Sequence, residues 1–181
     1  MLIGLTGPNA AGKGEVAALL AARGLPVYSL SDVVRERAKQ LGLGVDRETL
    51  IRLGRELRET GGPGVLAERI LPRLDAHAVV DSIRSPFEVE VLRQRSDFRL
   101  LGVDAPVEVR WQRALQRGRE GDVPDLQTFI AREELENRDS PTSQQLRKTF
   151  LLADRVVINS STLDHLADEI TRVLAEWDTR G

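Results

Sequence analysis

The feature that most constrains this chain is a glycine-rich loop between an apolar run and a helical pattern. Gly7, Gly12 and Lys13 have the spacing Gly-x-x-x-x-Gly-Lys of a phosphate-binding loop. The run before it, 2–6, predicts a buried strand, and the residues after it predict a helix that Gly24 ends. Glycine lets backbone N–H groups turn inward around a phosphate, and the positive end of the helix points at the same place. The predicted phosphate-binding residues are Gly7, Asn9, Ala10, Ala11, Gly12, Lys13, Gly14 and Glu15.

Lys13 stands out because lysine is scarce in this chain. Among 26 basic residues, lysine occurs only at Lys13, Lys39 and Lys148, and the others are arginines. An ordinary tight turn is the alternative interpretation, but the scarcity of lysine and the two flanking patterns favour a phosphate site, with Lys13 reaching the β- and γ-phosphates. The abundance of arginine has the opposite effect, since it weakens any argument from a single arginine.

Two residues of the loop depart from the usual pattern. Gly14 stands where most such loops carry a Ser or Thr that binds magnesium. Glu15, at the second helical position, complements the helix dipole if its carboxylate points away from the phosphates and repels them if it points inward. The sequence leaves both orientations open.

The rest of the chain alternates short apolar runs with helical patterns, which predicts an α/β fold with a parallel sheet flanked by helices. The predicted strands are 2–6, 26–30, 77–82, 98–103 and 155–159. Three helical patterns between the second and third strands form an excursion large enough to act as a flap. The segment 117–125 is charged and contains glycine, which predicts an exposed, mobile connection.

Asp81 lies at the end of the third predicted strand. The carboxyl ends of parallel strands line the ligand crevice in folds of this type. Asp81 is therefore expected beside the phosphate loop, where it would orient Mg²⁺ through water. A capping aspartate is the alternative.

Composition excludes several other classes of protein. The net charge of −2 argues against a broad basic surface for nucleic acid or anionic lipid. The chain has no cysteine, so it forms no disulfides and no thiolate metal sites. No apolar run approaches membrane-spanning length, and a cytoplasmic location is expected.

Over nearly the whole chain, from Leu2 to about Trp177, the pattern resembles the adenylate-kinase-like P-loop nucleotide kinases. Leu-Thr-Gly, Asp-Val-Val-Arg-Glu, Arg-Glu-Leu-Arg-Glu, Gly-Pro-Gly and Asp-Ser-Ile-Arg-Ser are most similar to small kinases related to dephospho-CoA kinase. The resemblance implies a three-layer α/β fold with a five-stranded parallel sheet of order 2-3-1-4-5. It also implies one P-loop kinase domain over 1–181, with its core at 1–30, 75–116 and 150–181, an acceptor-binding helical flap at 31–74 and a lid at 117–142.

The resemblance assigns acceptor-binding roles to three side chains. Asp32 and Arg35 match the family's Gly-Asp-Met-Leu-Arg sequence, whose arginine grips the acceptor's phosphate, although Ser31 replaces the glycine. From the residues alone, Ser31 or Asp32 caps a helix and Arg35 is a solvated turn residue. Arg84 is similar to the acceptor-contacting arginine of the family's Asp-Gly-Phe-Pro-Arg.

Arginines in the region 110–119 resemble the entry to the family's lid. Arginines on a closing lid stabilise a phosphoryl group in transit and keep water out. Arg117 is the first candidate for this role and Arg113 the second, whereas Arg119 and Arg138 rank lower.

These features predict ATP- and Mg²⁺-dependent transfer of the γ-phosphoryl group to a (deoxy)nucleoside monophosphate or a similar nucleotide acceptor. A hydroxyl acceptor of the dephospho-CoA type is one alternative, with Asp32 or Asp81 as the base. An ATP sensor without phosphoryl transfer, which Gly14 and Glu15 support, and a partnered ATPase are others. The expected partner is a small nucleotide, and the sequence has no clear dimer signature, so a monomer or a homodimer is expected.

Overall fold

The computed structural model describes residues 1–118, 125–137 and 144–179, and its centre is one sheet of five parallel strands. The sheet order is β2-β3-β1-β4-β5, as the resemblance predicted, and each strand lies at its predicted position. The strands are β1 (Leu2–Thr6), β2 (Val27–Ser29), β3 (Ala78–Asp81), β4 (Phe98–Asp104) and β5 (Arg155–Ile158).

Helices cover both faces of this sheet. The described helices are α1 (Lys13–Ala21), α2 (Leu30–Gln40), α3 (Arg47–Gly61), α4 (Val65–Ile70), α5 (Pro86–Leu92), α6 (Val107–Arg117), α7 (Leu126–Glu136), α8 (Leu146–Phe150) and α9 (Leu163–Asp178), with a 3₁₀ turn at Leu71–Arg73. The three helices predicted between β2 and β3 are α2, α3 and α4. Within the part of the chain that the structure describes, no helix is long and apolar enough to cross a membrane.

The central strand β1 separates two hydrophobic cores because successive side chains of a strand point to opposite faces. Leu2 packs with α2 to α5 on one face, and Ile3 and Leu5 pack with α1 and α9 on the other. Gly4 lies between them, where an added Cβ would come within 2.6 Å of the Ile83 side chain. The strand is therefore tightly packed, and this packing fixes the position of the loop that follows it.

The α5 helix positions the loop that follows β3. Ser85 caps it by accepting a hydrogen bond from the Phe87 N–H, Pro86 occupies its first turn, and Glu88 closes a capping box. The sequence pattern Ser-Pro-x-Glu is typical of such a helix start.

The α6 helix packs against α7, and α7 lies within the predicted lid, 117–142. Ala114 and Phe129 are buried against each other, with Trp111 packed beside them. The α6 helix ends at Gly118, which has the left-handed conformation. Most of the predicted mobile connection, together with Arg119 and Arg138, lies outside the described residues.

Candidate functional site

A cleft of about 1110 Å³ opens at the carboxyl ends of the strands, between the phosphate loop, α2, α3 and α6. Its walls hold most of the residues that the sequence singled out: Gly7, Asn9, Ala10, Gly12, Lys13, Gly14, Glu15, Arg35, Asp81, Arg84, Arg113 and Arg117. Ala11 is buried behind the loop. Asp32 is exposed and does not line the cleft, so the structure does not place it beside the other predicted residues.

The loop's backbone explains its glycines. Gly7 has φ 142° and Gly12 has φ 102°, conformations that strain any residue with a Cβ. A Cβ on Gly7 would also lie 2.0 Å from the carbonyl oxygen of Val103. Ala10 adopts φ 57° without being glycine, so the loop stores a modest strain of the kind found at ligand sites.

Asn159 supports the loop from behind. This buried side chain follows β5, and its Nδ2 donates to the Ala11 carbonyl at 3.1 Å. A Cβ on Gly12 would come within 2.0 Å of the same Nδ2. On its other side, Asn159 Oδ1 accepts from Arg113 Nη2 at 3.4 Å. The sequence did not predict this support of the loop by Asn159.

Lys13 begins α1 and folds over the loop. Its Nζ donates to the carbonyls of Gly7 at 2.9 Å and Pro8 at 2.8 Å. Burial lowers the pKa of Lys13 from 10.5 to about 8; Arg84 lowers it further, and Asp81 opposes the shift. An anionic ligand in the cleft would relieve both unfavourable effects, so the site suits phosphate.

The structure shows different surroundings for the two unusual loop residues. Among the residues that the structure describes, none comes within 4 Å of a Cβ built on Gly14, so there is space for a side chain. Glu15 lines the cleft, and its Oε2 lies 3.3 Å from the point that a Cβ on Gly12 would occupy. Its carboxylate is therefore close to the loop rather than turned away from it.

The two carboxylate oxygens of Asp81 differ in their hydrogen bonding. Oδ2 accepts from Ser82 Oγ at 3.2 Å, whereas Oδ1 is buried and has no hydrogen-bond partner among the described residues. Ser82 adopts φ 65°, a left-handed conformation that costs about 1–2 kcal/mol for a residue other than glycine. A buried acceptor without a partner beside a strained residue is typical of a ligand site.

Two predicted acceptor-side arginines are held in different ways. Arg35 Nη1 donates to Asp32 Oδ1 at 3.0 Å, in an ion pair whose side chains are 49% and 59% exposed. Arg84 Nη1 donates to Gln144 Oε1 at 3.0 Å, and its backbone N–H donates to Glu88 Oε2 at 2.8 Å. Arg84 is thus fixed by its surroundings, while Arg35 reaches into solvent.

Arg58 is a cleft residue that sequence reasoning missed. Its Nη2 donates to Glu88 Oε1 at 2.6 Å, and the two side chains are only 6% and 0% exposed. The pair connects α3 to the loop that carries Arg84. Arg58 follows Gly54 by four residues on the buried face of α3, and that helical position was the available signal.

The three arginines of α6 have separate surroundings. Arg110 turns into the α6–α7 packing, where it pairs with Glu133 and lies 5.7 Å from the centre of the Phe129 ring. Arg113 and Arg117 line the cleft, and Arg117 Nη1 donates to Asn9 Oδ1 at 3.5 Å.

Among the described residues, no group of three or more His, Cys, Asp or Glu could hold a metal ion.

The parallel sheet of this order, with a phosphate loop after its central strand, defines a P-loop kinase fold. Among solved structures, TT1252 from Thermus thermophilus is 28% identical with a TM-score of 0.64, and the match covers 97% of each chain. Shikimate kinase from Aquifex aeolicus matches over the full length of both chains with a TM-score of 0.58 and 19% identity, which supports the fold alone.

Sequence comparison places the chain in a family. A family model described as an AAA domain matches residues 6–129. UPF0200 proteins of Pyrococcus horikoshii and Methanoculleus marisnigri are 30% and 33% identical, and each match covers at least 97% of both chains. A UPF0200/UPF0201 protein of Archaeoglobus fulgidus is 35% identical, but the match covers 96% of this chain and 54% of that protein. The chain belongs to the AAA domain family and to the UPF0200 proteins.

Proposed function

We propose that this protein is an ATP-dependent phosphotransferase whose acceptor is a (deoxy)nucleoside monophosphate or a similar nucleotide. The observation that carries the proposal is the single cleft shared by the phosphate loop with Lys13 and the acceptor-side arginines Arg35 and Arg84. A donor phosphate on one side and an acceptor phosphate on the other can therefore meet within it.

On the donor side, the loop N–H groups and Lys13 hold the β- and γ-phosphates of ATP. The open oxygen of Asp81, Oδ1, fits a role in holding Mg²⁺ through water, and Gly14 supplies no ligand. When bound, Mg²⁺ neutralises charge on the phosphate oxygens. Arg113 and Arg117 stabilise the charge of the transferring group.

On the acceptor side, Arg35 and Arg84 hold an anionic group, and neighbouring apolar side chains offer a surface for a base. The apolar lining residues there are Val34, Leu50, Ile51 and Leu66. The acceptor's phosphate oxygen forms a bond to the γ-phosphorus, the bond from that phosphorus to the β–γ bridging oxygen breaks, and ADP leaves. A phosphate acceptor needs no strong general base, so no further group is required for this step.

A hydroxyl acceptor of the dephospho-CoA type is a second candidate. The observation that favours it is again Asp81 Oδ1, because a buried carboxylate oxygen without a partner among the described residues is suited to accept a hydroxyl proton. Asp32, the other base considered from sequence, is exposed and paired with Arg35, which makes it the weaker choice.

A nucleotide sensor without phosphoryl transfer is a third candidate, supported by the position of the Glu15 carboxylate close to the loop. Repulsion between this carboxylate and phosphate would weaken ATP binding or distort it. Cleft-lining Arg113 and Arg117 favour transfer instead, since binding alone has little use for them.

The test is ADP formation from Mg-ATP with a panel of ribo- and deoxynucleoside monophosphates, and with dephospho-CoA, shikimate and gluconate as hydroxyl acceptors. Lys13→Ala is the blank, and we expect it to lower turnover on the order of 10²–10³-fold. Stimulation by a monophosphate supports the proposal, whereas stimulation by dephospho-CoA alone supports the second candidate. ATP binding without stimulation by any acceptor contradicts both and favours the sensor.

A further inference from the structure

A row of three serine hydroxyls joins Arg35 to Asp81 along the wall of the cleft. Arg35 Nη1 lies 2.6 Å from Ser31 Oγ, and Ser31 Oγ lies 2.9 Å from Ser29 Oγ. Ser29 Oγ is 3.1 Å from Ser82 Oγ, which in turn is 3.2 Å from Asp81 Oδ2. All five side chains line the cleft.

The hydrogen bonds of this serine row run in one direction. A hydroxyl has a single proton to donate, and an arginine only donates. Ser82 donates to Asp81, so it accepts from Ser29. Since the Ser29 proton is used in that bond, Ser31 must donate to Ser29 and accept from Arg35. The row therefore leads from a guanidinium cation to a carboxylate, and each dipole strengthens the next.

Two features of the backbone support a role for these hydroxyls beyond local structure. Ser29 occupies the N-cap position of α2, where serine normally bonds a helix N–H, yet its side chain makes no such bond. Ser82 has φ 65°, where glycine would be unstrained. Pairing of β2 with β3 sets Ser29 opposite Asp81.

We propose that the serine row couples the acceptor-side Arg35 to the orientation of Asp81, with Ser29 and Ser82 as positioning residues. By engaging Oδ2, the row leaves Oδ1 without a hydrogen-bond partner among the described residues, so that this oxygen can serve a ligand on the donor side. An anion that draws Arg35 away from Ser31 alters the row and hence the carboxylate. This inference rests on the proposed function, because it assigns the two ends of the row to acceptor and donor.

The row itself can be tested without any ligand, by a double-mutant cycle on thermal unfolding with Ser29→Ala and Ser82→Ala. Each single variant removes two bonds of the row, one of which both variants share, and is expected to lower Tm by about 2–4 °C. The double variant should lose less than the sum, since both changes remove the bond between the two hydroxyls. Ser29→Thr, which keeps a hydroxyl at an extended position, should retain wild-type stability, as should Ser96→Ala at an exposed serine outside the cleft.

The coupling is tested by the Kd of a non-hydrolysable Mg-ATP analogue. Ser82→Ala should weaken binding about two- to tenfold when Mg²⁺ is present. Arg35→Ala should weaken binding of the analogue less than Ser82→Ala does. The weakening caused by Arg35→Ala should be smaller in the Ser29→Ala background, where the row is already broken. Direct attraction between Arg35 and the nucleotide persists in that background, so the cycle isolates what the row transmits.

Ser82→Gly separates positioning from stability. It relieves the strain at φ 65° and should therefore unfold at a higher temperature than Ser82→Ala, yet it should bind the analogue as weakly. If Ser82→Gly restored the affinity for the analogue as well as the Tm, the positioning role of Ser82 would be wrong. If the Tm changes of Ser29→Ala and Ser82→Ala were additive, the two hydroxyls would not be hydrogen-bonded to each other and the serine row would be wrong. A wild-type protein that binds no nucleotide would refute the proposed function and the coupling, whereas the Tm cycle would still report on the row.

Discussion

The donor side and the acceptor side of the cleft are built in different ways. The donor side follows a strand that is buried at every position, and its backbone is fixed by Gly7, Ala10 and Gly12 in left-handed or similar conformations. The acceptor side is formed by α2 and α3, where Arg35 is exposed and the lining residues Val45 and Ile51 are 59% and 45% exposed. One wall is set by main chain and core packing, the other by side chains that reach into solvent.

This difference matters for function because the two ligands make different demands. A triphosphate is bound chiefly by backbone N–H groups, which require a fixed loop. In the proposed function, an acceptor held by exposed side chains would allow the predicted flap, 31–74, to close on it. The buried pair of Arg58 and Glu88 is an exception on the acceptor side, since it attaches α3 to the core beside Arg84.

The first prediction is that breaking the Arg58–Glu88 pair destabilises the protein more than any other change considered below. Glu88→Ala leaves the Arg58 guanidinium buried without its carboxylate and removes the acceptor for the Arg84 and Ser85 N–H groups. We expect a loss of about 3–5 kcal/mol in the free energy of unfolding, measured by urea denaturation.

The matched control for Glu88 is Glu56→Ala, which breaks an ion pair with Arg52 on the exposed surface of α3. Such pairs contribute about 0.5 kcal/mol or less. If Glu88→Ala were no more destabilising than Glu56→Ala, α3 would not be anchored to the core through this pair, and the two sides of the cleft would be less different than described.

The second prediction concerns the pH dependence of the donor side. In the proposed function, Lys13 binds phosphate as an ammonium ion, and its folded pKa is lowered from 10.5 to about 8. The charge is therefore present below pH 8 and is lost as the pH rises through that value. The affinity for a non-hydrolysable Mg-ATP analogue should fall about tenfold between pH 7 and pH 9.

Lys13→Arg provides the comparison for this titration, because arginine keeps its charge throughout the range. Its affinity, whatever its value at pH 7, should not follow the same decline. A wild-type affinity that stays constant to pH 10 would show that Lys13 is not the group that binds the phosphates, or that its pKa is not lowered.

The contrast between the two sides also explains what the sequence could predict. The phosphate loop and the five strands depend on local patterns, namely glycine spacing and short apolar runs, and these were identified directly. The Arg58–Glu88 pair depends on a contact between residues 30 apart in the chain, and the position of Arg58 on the buried face of α3 does not identify that partner. Likewise, the support of the loop by Asn159 arises only when β5 is placed next to β4.

The sequence patterns also did not predict the short α5 and α8 helices, although they did predict the six-residue α4. The α5 and α8 helices have seven and five residues, and a helical period is weak over so few positions. A capping box at Ser85 could have identified α5, whereas α8 begins without a side-chain cap. Helices of this length are held by packing against the core and not by their own propensity.

The third prediction tests whether Arg35 acts mainly on the acceptor side. Arg35→Ala removes an exposed pair with Asp32 and the hydrogen bond to Ser31, so the free energy of unfolding should fall by about 1 kcal/mol or less. The KM for the acceptor identified in the panel should rise about tenfold, because a charged hydrogen bond to an anion is lost. Arg52→Ala on the exposed face of α3 is the control and should leave this KM unchanged. A larger change in the KM for ATP than for the acceptor would place Arg35 on the donor side.

The smallest expected effect concerns Gly14, where the donor side lacks the usual hydroxyl. A Cβ at this position meets nothing within 4 Å, so Gly14→Ser can be accommodated in the first turn of α1. Replacement of a helical glycine should stabilise the fold by about 0.5 kcal/mol. If Mg²⁺ lies where it does in loops that carry this hydroxyl, the variant should also reach half-saturation at a Mg²⁺ concentration about two- to threefold lower, measured by binding of the ATP analogue.

Gly14→Ala separates the two effects of that substitution, since it gives the helix the same benefit without a hydroxyl. A lower Mg²⁺ requirement in the serine variant alone would mean that the natural protein holds the metal through Asp81, water and phosphate, with an unfilled ligand position at residue 14. Equal Mg²⁺ requirements in the serine and alanine variants would instead mean that the metal lies beyond the reach of residue 14. In that case Glu15, and not Gly14, would be the residue that makes phosphate binding differ from that of the usual loop. Its carboxylate is close to the loop and repels phosphate wherever the metal binds.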